Sequence, residues 1–95
     1  MAKGYIVGLI RVHDKEGFQK FSQVAGPVLE EHGGKILVRN PNPEVREGND
    51  LGMVLILEFE SIEKARGFYE SEKYQAAIAM REKAADTNLY LAVGL

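Results

Sequence analysis

The sequence predicts an α+β fold in which a βαββαβ chain forms one four-stranded antiparallel sheet with its helices on one face. Three observations carry that expectation. Apolar, β-branched runs at residues 5–12 and 53–60 are each followed by a capping residue and a helical apolar stripe. Two shorter apolar runs, residues 35–39 and 89–93, fall where the second and fourth strands belong. The 95 residues are 45% apolar and 27% charged, a globular composition with room for one domain, residues 1–95.

Residues 5–12 (YIVGLIRV) are bounded by Gly4 and by His13-Asp14-Lys15, which marks the first strand. Asp14 is placed to cap a helix, with Glu16 in its first turn and Phe18, Phe21, Val24, Val28 and Leu29 recurring at spacings of three and four. Gly26-Pro27 interrupts that stripe, and the missing proline N–H predicts a kink or a restart. His32-Gly33-Gly34 ends the helix, with Gly33 in the left-handed conformation of a C-cap. Residues 35–39 (KILVR) form the second strand and residues 53–60 (MVLILEFE) the third.

Between those strands lies the turn-rich segment 40–52, NPNPEVREGNDLG, in which residues 44–47 alternate enough to resume the second strand before a turn at Gly48-Asn49-Asp50. A loop of this length in so small a domain is usually functional or engaged with a partner. Ser61 caps the next helix, whose buried face is Ile62, Ala65, Phe68 and Tyr69. Ser71 caps a further helical segment with Tyr74, Ala77, Ile78, Arg81 and Ala85 along one stripe. Residues 89–93 (LYLAV) make the fourth strand.

Right-handed crossovers then give the ferredoxin-like arrangement with strand order 4-1-3-2. A sheet covered on one face should be polar on the other, yet both faces of the two central strands are apolar. Val7, Leu9, Val54, Ile56 and Ala92 would form an exposed patch; the simplest resolution is a second sheet packed against it, and a homodimer is expected. The chain has no cysteine, which excludes disulfides, thiolate metal sites and thiol catalysis. Its formal charge of −2 argues against nucleic acid. No run approaches the ~20 apolar residues of a membrane span, so no membrane partner and a cytoplasmic location are expected.

Candidate functional residues follow from the topology. His13 and His32 fall at opposite rims, roughly 20 Å apart across a strand of seven residues at about 3.3 Å each, so they cannot share a metal and no metal site is expected. Arg39 is an always-charged guanidinium in a short apolar strand and needs a ligand anion or a carboxylate such as Glu47. Glu58 alternates with Val54 and Ile56, and is either half of a structural pair or a carboxylate in a cavity. Tyr69, Tyr74 and Arg81 lie on the last helical region, where Tyr74 and Arg81 share a face and either line a pocket or sit at the core edge. The third strand lacks the aromatic platform of an RNA-recognition module, no glycine-rich phosphate cradle follows the first strand, and no serine has an evident histidine.

HGGKILVRN (residues 32–40), REG (46–48), LILEFES with IEKARGFYESEKYQAAIAMR (55–81) and the opening GYIVGLIRV together resemble the domain-of-unknown-function 1330 family over essentially the whole chain. That resemblance implies a dimeric α/β barrel of the ferredoxin-like group. It implies no established activity, although the wider group includes cofactor-independent monooxygenases, haem-degrading enzymes, small isomerases and stress-response proteins, commonly with a pocket between helices and sheet. This chain lacks the tryptophan that often follows Arg46-Glu47-Gly48, and Glu60 and Glu72 stand where proline is frequent. Strand parity aims Arg39 and Glu58 at the sheet interface, whereas the group's pocket lies under the helices; a bulge would reverse the parity. The expectation is a homodimer that binds a small anionic or aromatic metabolite through Arg39, Glu58, Tyr69, Tyr74 and Arg81, without a cofactor. It is either a monooxygenase- or isomerase-like enzyme or a binding protein, and the alternative is a non-catalytic dimeric interaction module.

Overall fold

The computed structural model describes residues 2–95. The chain runs β1 (Gly4–Val12), α1 (Lys15–Glu31), β2 (Lys35–Asn40), β3 (Met53–Phe59), α2 (Ile62–Glu70), α3 (Glu72–Ala84) and β4 (Ala85–Val93). The strands form one antiparallel sheet in the order β2-β3-β1-β4, the ferredoxin-like order that right-handed crossovers dictate.

Each helix starts on a side chain that satisfies a backbone N–H. Asp14 Oδ1 accepts from Gly17 N at 3.1 Å, Ser61 Oγ from Lys64 N at 3.2 Å and Ser71 Oγ from Tyr74 N at 3.3 Å. α1 ends in a Schellman motif, with Gly34 N donating to Leu29 O and Gly33 N to Glu30 O, both at 3.0 Å, and Gly33 at φ +71°. Of the kink or restart expected at Gly26-Pro27, the restart does not occur: α1 runs as one helix through Pro27. Proline forfeits only the bond to Gln23, while Val28 and Leu29 beside it are buried and hold the last turn to the core.

Two further boundaries differ from the sequence expectation. Residues 44–47 do not resume β2, because β3 pairs with β2 only from Lys35 to Asn40; Arg46 instead pairs locally with Glu44 at 2.7 Å. β4 begins at Ala85, four residues before the apolar run, because Asp86 and Thr87 find backbone partners opposite Arg11 and Ile10. α3 passes straight into β4, and Ala84 O accepts from both His13 N and Asp14 N, at 2.9 and 3.1 Å.

The core lies between helices and sheet: Ile6, Leu57 and Phe59 from the strands meet Phe21, Val28, Leu29, Ala65, Phe68, Tyr74 and Ala77. Rings stack through its centre, Phe59 to Phe68 at 5.5 Å and Phe68 to Tyr74 at 4.4 Å between centroids. Gly4 is required where β1 passes α2, since a Cβ there would lie 2.6 Å from Ile62 Cα. Across the register Val7 faces Ile56 and Tyr90, and Leu9 faces Val54, on the face turned away from the helices. Val7, Leu9, Val54 and Ile56 are only half-buried there, and Tyr90 is 53% exposed. Among the described residues no helix is long and apolar enough to cross a membrane.

Candidate functional site

The site begins with one extra residue in β2. Ile36 stands opposite Leu57, but Val38, not Leu37, stands opposite Ile56, and Arg39 stands opposite Leu55. This β-bulge at Leu37 reverses the alternation, so Ile36 and Arg39 share the helix face although they are three apart. The parity that aimed Arg39 at the open sheet face is thereby overturned.

α1 packs along α3 and leaves β2 exposed from end to end. A cleft remains between α1 and the β2–β3 half of the sheet, with a cavity of about 90 Å³. Its walls are apolar: Phe18, Phe21 and Leu29 of α1, Leu55 and Leu57 of β3, and Phe68 of α2. Three side chains bring polar atoms, Ser22 of α1, Arg39 of β2 and Tyr74 of α3. Arg39 makes no salt bridge among the described residues, and Glu47 is not its partner.

Tyr74 is held from behind. Arg81, seven residues on and 7% exposed, donates from Nη1 to the Tyr74 hydroxyl at 2.8 Å, and its guanidinium carbon lies 5.8 Å from the centroid of Phe21. Arg81 Nε is buried with no hydrogen-bond partner. Burial pushes the Tyr74 phenol above its ordinary pKa, against the opposing pull of the Arg81 charge. Tyr69 is half-buried with its ring 5.8 Å from that of Tyr74, and is not among the residues lining the cavity.

Glu58 is elsewhere. It pairs in register with Tyr5 on the open sheet face, accepts from the Tyr5 hydroxyl at 3.2 Å and does not meet Arg39. Desolvation, reinforced by the Glu58 carboxylate, raises the Tyr5 phenol. Of the five candidates the structure therefore brings Arg39 and Tyr74 to one cleft, sets Arg81 and Tyr69 against Tyr74 outside its lining, with Arg81 instead on a polar pocket beside Arg11, Asp86 and Asn88, and sends Glu58 to the open sheet face. Sequence reasoning missed Ser22, although a hydroxyl four residues after Phe18 on the core stripe was a readable signal. It also missed the role of Arg11, which ties the 41–52 loop to β4 through Leu51 O at 2.8 Å and Asn88 Oδ1 at 2.6 Å. His32 Nδ1 lies 2.9 Å from Val28 O at the end of α1. Among the described residues no three His, Asp or Glu side chains gather to hold a metal.

A ferredoxin-like sheet with an apolar cleft beneath its helices defines the class, α+β proteins of the βαββαβ type. The chain belongs to the family described as Domain of unknown function (DUF1330), which it matches over residues 3–95. In three dimensions it is similar to the RPA0582 protein of unknown function from Rhodopseudomonas palustris, with TM-score 0.79 and 21% identity over 99% of this chain and 83% of that one. It is also similar to SnoaB, a cofactor-independent oxygenase from Streptomyces nogalater, with TM-score 0.71 and 12% identity over 97% and 92% of the two chains. A dimeric protein of unknown function and ferredoxin-like fold from Bacteroides fragilis aligns with TM-score 0.61 and 10% identity over 95% and 94%. At these identities the likeness is one of fold. No curated protein matches the chain.

Proposed function

We propose that this protein is a homodimer that binds a small carboxylic acid in the cleft between α1 and the β2–β3 half of the sheet. The observation that carries this reading is Arg39: a guanidinium without an ion-pair partner among the described residues, set by a β-bulge beside an apolar cavity. The cavity supplies burial for a hydrocarbon body and the guanidinium supplies a carboxylate partner. At about 90 Å³ the space is smaller than the ~150 Å³ that accommodates benzene, which favours a short aliphatic acid over an aromatic one. The similarity to a cofactor-independent oxygenase supports extending the reading to turnover without a bound group, of oxygenase or isomerase kind.

The dimer is supported by surface arithmetic. A monomer of this mass should expose roughly 5,500 Å², and this chain exposes 6332 Å². The surplus, on the order of 800 Å², is about one partner's share of a standard interface. The molecule is also flat, 35 × 32 × 15 Å, with a broad sheet face carrying Val7, Leu9, Val54 and Ile56.

The test is a thermal melt of the purified protein against short aliphatic and benzoate-type carboxylates. Ligand at ten times its Kd stabilises by about 1.4 kcal/mol, a rise on the order of 5–10 °C for a domain of this size. Arg39→Ala should abolish the rise while leaving the unliganded melting temperature unchanged. A panel in which no carboxylate moves the wild-type melt favours the non-catalytic dimeric module instead.

A further inference from the structure

Tyr74, which lines the cleft, carries a hydrogen-bond donor that the described residues leave unused. Arginine has no acceptor, so in the Arg81–Tyr74 contact the phenol oxygen must accept, at 2.8 Å. The phenol's own hydrogen is then free to point elsewhere, and among the described residues no acceptor receives it. Tyr74 nevertheless lines the cavity, and a buried donor without an acceptor is costly, so an acceptor on a bound molecule would be favoured. Behind it stands a positive charge that is 93% buried, taken from its 7% exposure, and that has no carboxylate within salt-bridge distance among the described residues. A cation bonded to a phenol oxygen draws electron density from the O–H and strengthens it as a donor. The natural recipient is an oxygen on the bound molecule that gains negative character.

Resting on the carboxylic-acid reading above, we propose that Tyr74, polarised by Arg81, donates its hydroxyl hydrogen to a ketone oxygen of the ligand, so that the cleft selects short oxo acids over the same acids without the oxo group. The carboxylate takes Arg39 and the ketone takes Tyr74, with hydrocarbon between them against Phe18, Leu29, Leu55 and Phe68. Among the described residues no carboxylate or imidazole lines the cavity, so the Tyr74–Arg81 pair binds and polarises the ketone without a protein base beside it. Tyr74 is the group in contact with the ligand; Arg81 acts through it as a positioning residue.

Calorimetric titration of the wild-type protein with 2-oxopentanoate, 4-oxopentanoate and pentanoate tests this. At least one oxo acid should bind about tenfold more tightly than pentanoate, the difference expected for one strong hydrogen bond of about 1.4 kcal/mol, and the two oxo positions report the spacing between Arg39 and Tyr74. In protein carrying ¹³C-labelled tyrosine, the Tyr74 Cζ resonance should move on addition of that oxo acid and stay in place with pentanoate. Tyr74→Phe should bring the oxo acids to within twofold of pentanoate measured on the same variant; Arg81→Lys should keep more of the preference than Arg81→Met. Equal binding of all three acids by the wild type, or an unmoved Tyr74 resonance in the oxo-acid complex, overturns the proposal while leaving the cleft an acid site. Failure of all three acids to bind overturns both. The wild-type titration and the resonance shift decide the matter even where a variant folds poorly.

Discussion

Tyr74 and Arg81 show how much one helical spacing can place and how much it leaves open. Seven residues put them on one face of α3, which the sequence made legible; that the face is 93% buried at Arg81, with Phe21 beside the guanidinium and Tyr74 reaching its Nη1, came from packing. The pair predicts an alkaline signature. The folded phenol titrates above its unfolded value of about 10, so its contribution is fully present below that pH and is lost as pH rises through the folded value, where the unfolded chain sheds the proton first. Urea denaturation at pH 9 and pH 11 should show stability falling, with a shallower fall in Tyr74→Phe. Gly4 predicts a different residue-scale effect. Gly4→Ala would press a methyl group onto the Ile62 backbone and should cost about 2–3 kcal/mol in urea denaturation, within the range for overpacking. Nothing in the sequence marked that glycine beyond its place at the start of a strand.

At the scale of elements, the starts of helices were readable because caps are local. Asp14, Ser61 and Ser71 each bond an N–H three residues on, and no distant part of the chain takes part. Ser61→Ala should cost about 1 kcal/mol. Ser71→Ala should cost more, because the same Oγ also donates to Phe68 O at 2.8 Å and so holds the junction between α2 and α3; chemical denaturation of both variants ranks them. The elements that local reasoning placed wrongly depend on partners far along the chain. β4 starts at Ala85 rather than Leu89 because β1 offers its backbone to Asp86 and Thr87, and polar residues carry no strand signal of their own. The bulge at Leu37 is likewise a property of the β2–β3 pair. KILVR has no glycine or other mark of it, yet it decides that Arg39 enters the cleft while Glu58 goes to Tyr5.

For the whole molecule, the flat sheet with its half-buried apolar face and the surplus of accessible surface lead to a prediction about assembly. Light scattering should return twice the 10.6 kDa chain mass at micromolar concentration. Ile56→Asp, at the middle of the open face opposite Val7, should give a monomer with unchanged helical circular dichroism; a dimer that survives this change places its interface elsewhere. What the sequence determined by itself was the order of elements, the strand order and the two-sided apolarity of the sheet, because these follow from periodicity, caps and the handedness of crossovers, all of which are local or generic. Only the tertiary structure decided which of five chemically plausible side chains line one cleft. Register is a relation between two strands, and one unpaired residue in β2 exchanges the faces of everything beyond it, so the grouping of Arg39 with Tyr74, apart from Glu58, exists only once β2 has paired with β3.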